Sequence, residues 1–308
     1  MPNIIFLERS QLDTHAWDAC IEKSAERTIY AFSWYLDIVT EKKWGAFVSV
    51  ENTIYVAVMP VSLTKKYGLI PYSYQPIFVQ QLGVYGISVE QTQNLLVQAL
   101  HLLKKKFLFV QYHFNCSNEH APQFLAQAKP LEIQNRITYQ IPLAQGYEAI
   151  KKKYIYSRRR DLRKTEHIEV VPSEDISAVI EVFRAEKGRE IAEAKDKHYA
   201  ILETLFTELL RRKKVLLLVA KSPDNGKIMA GGVFLIDNPM ITFLFSASSA
   251  EAKKYGTMTK ILDMAIQHFA GQPLVFDFEG SMIETIAHFY RSFGSEPAHY
   301  TLWSYRIF

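Results

Sequence analysis

Apolar stretches alternate with helical patterns along the whole chain, and this alternation is typical of an α/β protein. In the first half, the pattern predicts helices at 14–22, 32–40 and 89–104, and strands at 46–50, 54–60, 67–71, 107–113 and 135–141. In the second half, it predicts helices at 147–165, 173–189, 197–211, 258–270 and 282–293, and strands at 168–171, 215–221, 228–236, 241–246, 274–278 and 299–308. The expected fold class is therefore α/β with a mixed sheet.

The second half restarts the order of elements seen in the first, and 308 residues are enough for two domains. We place the domains at 1–145 and 146–308. No stretch rich in Pro, Gly or Ser separates them, so we expect the two to share an interface. The clearest turn signal is Asp224-Asn225-Gly226, since Asn-Gly supplies the positive backbone dihedrals of a tight hairpin.

Composition indicates a packed globular protein, with 48% hydrophobic and 13% aromatic residues. Cys20 and Cys116 lack metal-ligand spacing, and no stretch approaches the roughly 20 apolar residues that cross a bilayer. Without a signal-like start, the expected location is cytoplasmic. The net charge is only +4, but 151–164 holds eight Lys or Arg and one Asp, so the basicity is local.

The strongest local signal for chemistry is Lys253-Lys254-Tyr255-Gly256-Thr257-Met258, just before the helix predicted from Met258. Free N–H groups at the start of a helix form a ready phosphate site. An ordinary helix cap has the same residue types, so this alternative stays open.

Two carboxylates follow a predicted buried strand. Alternation in Phe276-Asp277-Phe278-Glu279 puts Asp277 and Glu279 on one face, where they can orient or deprotonate an amine. A solvated strand end is the alternative interpretation.

The segment Ala287-His288-Phe289-Tyr290-Arg291-Ser292-Phe293-Gly294 forms an amphipathic helix closed by glycine. It resembles the corresponding helix of GNAT acyltransferases, in which the tyrosine is the usual general acid for the leaving thiolate. The resemblance gives that role to Tyr290, and in the FemAB-type branch it assigns Arg291 to developing negative charge. Packing for Tyr290 and a surface position for Arg291 are the alternative.

The same resemblance identifies the segment around Gly256 with the pyrophosphate loop of GNAT enzymes. It implies that Lys253, Lys254, Gly256, Thr257 and Met258 bind coenzyme A or acyl-coenzyme A, although Met258 replaces a small residue. The alternative to this donor site is a non-catalytic protein that keeps the fold.

The first half resembles the opening domain of FemAB-type chains, at 31–37 and at 71–83. This resemblance implies substrate contacts from Trp34, Tyr72, Tyr74, Gln75 and Gln81. A basic segment like theirs lies just inside the second half, and the resemblance adds Arg160, Arg163 and Lys164 to the expected substrate-binding residues. Core packing and a solvated helix face are the alternatives.

The resemblance as a whole implies two tandem GNAT-like domains, an acceptor groove in the first and a donor site in the second. The expected reaction moves an acyl or aminoacyl group from acyl-coenzyme A or aminoacyl-tRNA to an amine, on a small molecule, a peptide or a cell-wall precursor. A protein that binds RNA through 151–164 is a further alternative. The sequence has no HExxH, GxSxG or P-loop motif, so we expect no metal.

Overall fold

The computed structural model describes residues 3–66, 69–119, 121–128, 131–186, 196–280 and 282–307. Contacts between residues divide the chain into two compact units. Unit 1 comprises 1–136 together with 299–308, and unit 2 comprises 137–298. This division differs from 1–145 and 146–308 because the last strand returns to unit 1. The functional roles assigned to the two domains stay predictions.

Unit 1 contains two groups of paired strands and four helices among its described residues. Its elements are β1 (Asn3–Glu8), α1 (Thr14–Lys23), α2 (Ser33–Val39), β2 (Trp44–Glu51), β3 (Ile54–Ser62), β4 (Thr64–Lys66), β5 (Ile70–Ser73), β6 (Tyr85–Gly86), α3 (Val89–Lys106), β7 (Phe109–Phe114) and α4 (Ala121–Gln127). One group has the order β1-β2-β3-β6, and in the other β4 pairs with β5 and β5 with β7. The strand predicted at 67–71 begins outside the described residues, and β5 covers its end.

The strand β8 (Glu132–Pro142) leads the chain from unit 1 into unit 2. Unit 2 continues with α5 (Tyr147–Lys152), α6 (Tyr156–Lys164), β9 (Val170–Ser173), α7 (Ser177–Glu186), α8 (Asp196–Arg211), β10 (Val215–Lys221), β11 (Ile228–Asp237), β12 (Met240–Ser248), α9 (Ala250–Tyr255), α10 (Thr257–Phe269), β13 (Val275–Asp277) and α11 (Glu284–Arg291). The strand β14 (Glu296–Arg306) then returns to unit 1 and pairs with β7.

The sheet of unit 2 has the order β8-β13-β12-β11-β10-β9. Only β12 and β13 run parallel in it, while the other neighbouring pairs are antiparallel, so the predicted mixed sheet is confirmed. The predicted hairpin between β10 and β11 is also present, with Gly226 at φ 71°. The amphipathic helix α10 packs its apolar face, which includes Ile261, Leu262 and Ile266, into the core of this unit.

Two local predictions were wrong. The single helix predicted at 147–165 is two helices, because Tyr154 turns inward between them and packs edge-on against Phe293. The residues before Gly256, taken as a loop, form the short helix α9, which Ser249 caps through its side chain. The helix predicted at 173–189 begins later, at Ser177, and its predicted end at Arg189 lies outside the described residues.

None of the helices in the described part of the chain combines the length and the apolar character needed to span a membrane.

Candidate functional site

The parallel strands β12 and β13 pair over only a short stretch. Met240–Thr242 pairs with Val275–Asp277, whereas β12 continues to Ser248. After Thr242, β12 has no partner strand among the described residues on the side where β13 lies. The N–H and C=O groups that point to this side are therefore not paired within the sheet. A buried backbone group needs a hydrogen bond, so this part of β12 offers main-chain contacts to a ligand.

The chain after β12 forms α9 and passes through Gly256 directly into α10. Gly256 has φ 79° and ψ 29°, the left-handed conformation that glycine adopts without strain. Its N–H donates to Ala252 and Lys253 carbonyls and so closes α9. The same residue precedes the first turn of α10, where the Thr259 N–H donates to the Gly256 carbonyl at 3.0 Å. The N–H groups of the two residues before Thr259, at the very start of the helix, have no partner four residues earlier within it, and such groups favour an anion.

A cavity of about 280 Å³ opens at this helix start. Its lining residues come from α6, the end of β12, α9, α10 and α11: Arg158, Asp161, Ser248, Ala252, Lys253, Gly256, Thr257, Met258, Thr259 and Phe289. All of them belong to unit 2. The lining thus combines the helix N-terminus with the inward face of a basic helix.

Arg158 is the most tightly held cation of the cavity. Its Nη1 donates to Thr259 Oγ1 at 2.7 Å, and its Nη2 lies 2.9 Å from Asp161 Oδ2. The guanidinium carbon lies 4.8 Å from the centre of the Phe289 ring, within the range of a cation–π contact. Burial lowers the pKa of Arg158, although an arginine stays charged at any ordinary pH.

Two polar atoms of lining residues are buried without a hydrogen-bond partner: Thr257 Oγ1 and Arg158 Nε. Thr257 is fully buried, at 0% exposure. Such groups are costly to leave unpaired, so a ligand with acceptor oxygens would satisfy them. Together with the helix start, they make the cavity a site for an anion such as phosphate.

Helix α11 connects this cavity with the predicted general acid. Phe289 lines the cavity, while the neighbouring Tyr290 stacks on Phe278, with ring centres 4.9 Å apart. Burial raises the pKa of Tyr290, and the Glu279 and Asp277 carboxylates raise it further. The phenol therefore stays protonated at neutral pH and can donate its proton.

Arg291, by contrast, is held at the surface. Its Nη1 donates to the Tyr139 hydroxyl at 3.0 Å, and its Nη2 pairs with Glu284. The side chain is 41% exposed. Arg291 does not line the cavity at the start of α10.

Asp277 is buried and fully hydrogen-bonded. It accepts from Thr138 Oγ1, from Gln140 Nε2 at 2.8 Å, and from the Glu279 N–H at 2.8 Å. Burial raises its pKa. Glu279 follows it with φ 50°, an uncommon conformation for glutamate, and is half-buried. The structure thus separates the two carboxylates: Asp277 fastens the strand end, and Glu279 lies on the more open side.

The other residues of the predicted donor loop differ in position. Lys253 lines the cavity and pairs with Glu186 at 2.8 Å, and the half-buried Met258 also lines it. Lys254 is exposed and is not part of the lining.

The predicted basic residues lie on the opposite face of α6 from the cavity. Tyr156, Arg159, Arg160, Arg163 and Lys164 form one exposed stripe. Sequence reasoning named three of these residues but missed Arg158, which faces inward. The break at Tyr154 sets the phase of α6, and counting from Tyr156 would have identified the inward face.

The other predicted substrate residues, Trp34, Tyr72, Tyr74, Gln75 and Gln81, lie in unit 1. Tyr72 and Tyr74 stack with centres 5.5 Å apart, and Gln75 Oε1 accepts from the His113 N–H at 3.3 Å. The Gln75 Nε2 group is buried without a partner.

Trp34 and Gln81 contact other residues of unit 1. Gln81 is buried, accepts from the Cys116 N–H at 3.0 Å and donates to Gln80. The half-buried Trp34 ring lies 5.5 Å from that of Tyr35 on α2. Tyr72, Tyr74 and Gln75 thus form one group with a free donor, whereas Gln81 is used within the unit.

Comparisons with known proteins agree with this architecture. The family model for the acetyltransferase (GNAT) domain matches residues 150–283. A search of curated proteins finds no match.

Several solved structures are similar over nearly the whole chain. FemX is 11% identical with a TM-score of 0.68, covering 97% of this chain and 96% of FemX. A tandem GNAT protein from the clavulanic acid biosynthesis pathway is 14% identical with a TM-score of 0.55, covering 98% of each chain. L-PGS from Bacillus licheniformis is 12% identical with a TM-score of 0.58, covering 96% of this chain and 92% of that one. Residues 150–283 therefore match the GNAT acetyltransferase domain model, and the chain as a whole shares its fold with FemX and with the tandem GNAT protein.

Proposed function

We propose that this protein is an N-acyltransferase that moves an acyl or aminoacyl group from a phosphate-bearing donor to an amine. The observation that carries the proposal is the cavity at the start of α10. There Arg158, the unpaired Thr257 hydroxyl and the first N–H groups of the helix converge. Donors of this kind are what a phosphate needs at a helix N-terminus.

The residues present fit the phosphates of coenzyme A. Arg158, Lys253 and Thr257 would hold them, and residues 243–248 of β12 offer main-chain groups beside them. When bound, acyl-coenzyme A supplies a thioester that an amine can attack. Met258 lines the same cavity, so its flexible side chain must fit around this donor.

Tyr290 is the proposed general acid. The amine nitrogen attacks the acyl carbon, the bond to the leaving group breaks, and the leaving atom takes the Tyr290 proton. The phenol carries its proton at neutral pH, but the raised pKa of Tyr290 makes that proton harder to release, so the leaving atom must be more basic than the phenolate or gain its proton as charge develops. Glu279 is the proposed acceptor of the proton that the amine loses, and Asp277 is a positioning residue that fixes the Glu279 backbone. Arg291 supports the site through Tyr139.

Unit 1 is the proposed acceptor domain. The stacked pair Tyr72 and Tyr74, of which Tyr74 is 41% exposed, offers ring surface to an amine-bearing small molecule, peptide or cell-wall precursor.

A donor carried on RNA is the second candidate, and one observation favours it. The exposed face of α6 is a stripe of four cations and a tyrosine, Tyr156, Arg159, Arg160, Arg163 and Lys164, which suits a phosphate backbone. The cavity at the start of α10 favours the coenzyme A donor. Its lining residues lie within 150–283, the span that matches the acetyltransferase domain model, except for Phe289, which follows shortly after.

Calorimetric titration with coenzyme A and acetyl-coenzyme A tests the proposal. We expect binding to the wild type and loss of binding in Gly256→Asp, which places a carboxylate at the helix start. Gly226→Asp is the matched control, because this hairpin glycine has a similar φ of 71° and lies outside the cavity. If the wild type binds neither compound, the coenzyme A donor is wrong. Titration with aminoacyl-tRNA then decides between the RNA-borne donor and a protein without transferase activity.

A further inference from the structure

Each cation that lines the cavity at the start of α10 is already paired with a carboxylate of unit 2. Arg158 pairs with Asp161 at 2.9 Å, and Lys253 pairs with Glu186 at 2.8 Å. Of the two carboxylates, only Asp161 is itself part of the lining. The lining residues therefore include an internal anion in the place where the proposed donor would bring its phosphates.

The position of Asp161 is more specific than an ordinary ion pair on one helix. A Cβ built on Gly256 would lie 3.5 Å from Asp161 Cγ and 3.6 Å from its Oδ2. The carboxylate thus lies against the glycine that starts α10, where the helix dipole favours a negative charge. Asp161 Oδ1 also lies 3.5 Å from Nη2 of the exposed Arg160, which is not part of the cavity lining.

Resting on the function proposed above, we infer that Asp161 is a specificity-determining residue: an internal anion that competes with donor phosphates for Arg158 and for the start of α10. A ligand must displace the carboxylate from Arg158 and tolerate its charge nearby. Small anions gain too little from one phosphate contact to do so. A larger donor, with an adenine ring or an acyl chain that makes further contacts, gains enough binding free energy from them to offset the cost of displacing Asp161. Such a repulsive element improves selectivity at the expense of affinity.

The variant Asp161→Asn tests this inference, because the amide keeps the shape and one acceptor oxygen for Arg158 but removes the charge. We expect coenzyme A to bind at least about fivefold more tightly, the effect of roughly one charge–charge contact that is fully screened by water. We also expect inorganic pyrophosphate to bind measurably to the variant. Both titrations are run at one fixed salt concentration.

Two matched variants accompany this experiment. Asp161→Glu keeps the charge and should gain no affinity. Glu203→Gln, on the exposed face of α8 outside the cavity, removes an equal charge from the same unit and should leave both affinities unchanged.

The outcomes separate this inference from the proposed function. Equal coenzyme A affinity in the wild type and in Asp161→Asn overturns the inference and leaves the donor site standing. Weaker binding in Asp161→Asn also overturns it, since the carboxylate would then serve to orient Arg158. If no variant binds coenzyme A or pyrophosphate, both the inference and the coenzyme A donor site are wrong.

Discussion

At the scale of single residues, the candidate site depends on the direction in which a few side chains point. Arg158 faces the cavity, while Arg159 and Arg160 beside it face solvent. A run of charges has no apolar pattern that would reveal this phase, so sequence reasoning chose outward residues. Asp277 is similar: its donors Thr138 and Gln140 precede it by 139 and 137 residues, and their contacts follow only from the fold.

The prediction for Gly256 follows from its backbone conformation. Gly256→Ala should cost about 1 kcal/mol in the free energy of unfolding, because an alanine at φ 79° is strained. The added methyl meets Asp161 at an ordinary distance of 3.5 Å, so no steric clash adds to this cost. Urea denaturation measures the loss.

Gly226→Ala provides the control, since its φ is 71° and no atom lies within 4 Å of the added Cβ. It should lose similar stability. Only Gly256→Ala should also weaken coenzyme A binding. If both variants bind equally well, the helix start at Gly256 is not the phosphate site.

The prediction for Tyr290 concerns the hydroxyl alone. Tyr290→Phe keeps the ring that stacks on Phe278 and removes the proposed acid. We expect kcat to fall about 100-fold, the lower end of what general acid catalysis contributes, with coenzyme A affinity unchanged. Steady-state kinetics with the best amine acceptor of the wild type measures this. A kcat within twofold of the wild type would remove Tyr290 from the mechanism.

At the scale of elements, α10 holds α5 and α6 in place through hydrogen bonds made by two of its side chains. Lys260 Nζ donates to carbonyls at the end of α6, Thr165 at 2.9 Å and Ile168 at 2.6 Å. Asp263, one turn further, accepts from the Tyr147 hydroxyl of α5 at 3.0 and 2.9 Å. These contacts hold α6, and with it Arg158, against the start of α10.

The lengths of α3, α8 and α10 were predicted well because strong apolar periodicity fixes them locally. The break between α5 and α6 was not predicted, because it depends on Tyr154 packing against Phe293, which is distant in the sequence. The first strand, β1, and the short α4 were also missed. The seven residues of α4 span only about two turns, too few for a clear helical period.

The buried Asp263 predicts a pH dependence of stability. Burial raises its pKa, so the folded state binds a proton more readily than the unfolded state. Because of this difference, protonation of Asp263 adds to the free energy of unfolding. This contribution is complete below the ordinary pKa of an aspartate and is lost as the pH rises through the raised pKa. The side chain of Asp263→Asn does not titrate, so this variant does not lose that stability as the pH rises. Its amide oxygen can still accept the hydrogen bond from the Tyr147 hydroxyl.

The stability of Asp263→Asn should therefore increase relative to the wild type as the pH rises above about 4, the ordinary pKa of an aspartate. Urea denaturation over a range of pH values that spans this point measures the difference. Asp224→Asn, in the exposed hairpin turn, serves as the control and should show no such trend. A constant difference across the range would contradict the prediction.

At the scale of the whole molecule, the feature that sequence reasoning did not anticipate is the return of the last strand to unit 1. Residues 301–306 of β14 pair with 109–114 of β7, and Leu302 and Trp303 are buried there. A strand of this kind was predicted at 299–308, but its partner was not, since pairing across almost 200 residues leaves no local signal.

The returning strand predicts how fragments behave. Residues 1–145 alone should not unfold cooperatively, because β7 keeps β5 but loses β14, and the core loses Leu302 and Trp303, each contributing roughly 1.5–3 kcal/mol. Joining 299–308 to residue 136 through a short Gly/Ser linker should restore cooperative unfolding. The junction is short because Asn135 and His299 are hydrogen-bonded at 3.2 Å. Circular dichroism melting compares the two fragments, and equally cooperative transitions would contradict the prediction.

The strand that returns also sets an order of events during synthesis. The ribosome makes 1–136 before 137–298, so β7 can pair with β5 at once but waits for its second partner, β14, until all of 137–298 has been made. At roughly 5–20 residues per second, that wait lasts on the order of 10–30 s. Over this interval the nascent chain presents an unpaired strand edge, the kind of surface that joins wrongly with other chains. The part of the protein that is translated first is therefore the last to be finished, and chaperone binding during translation should concentrate on it.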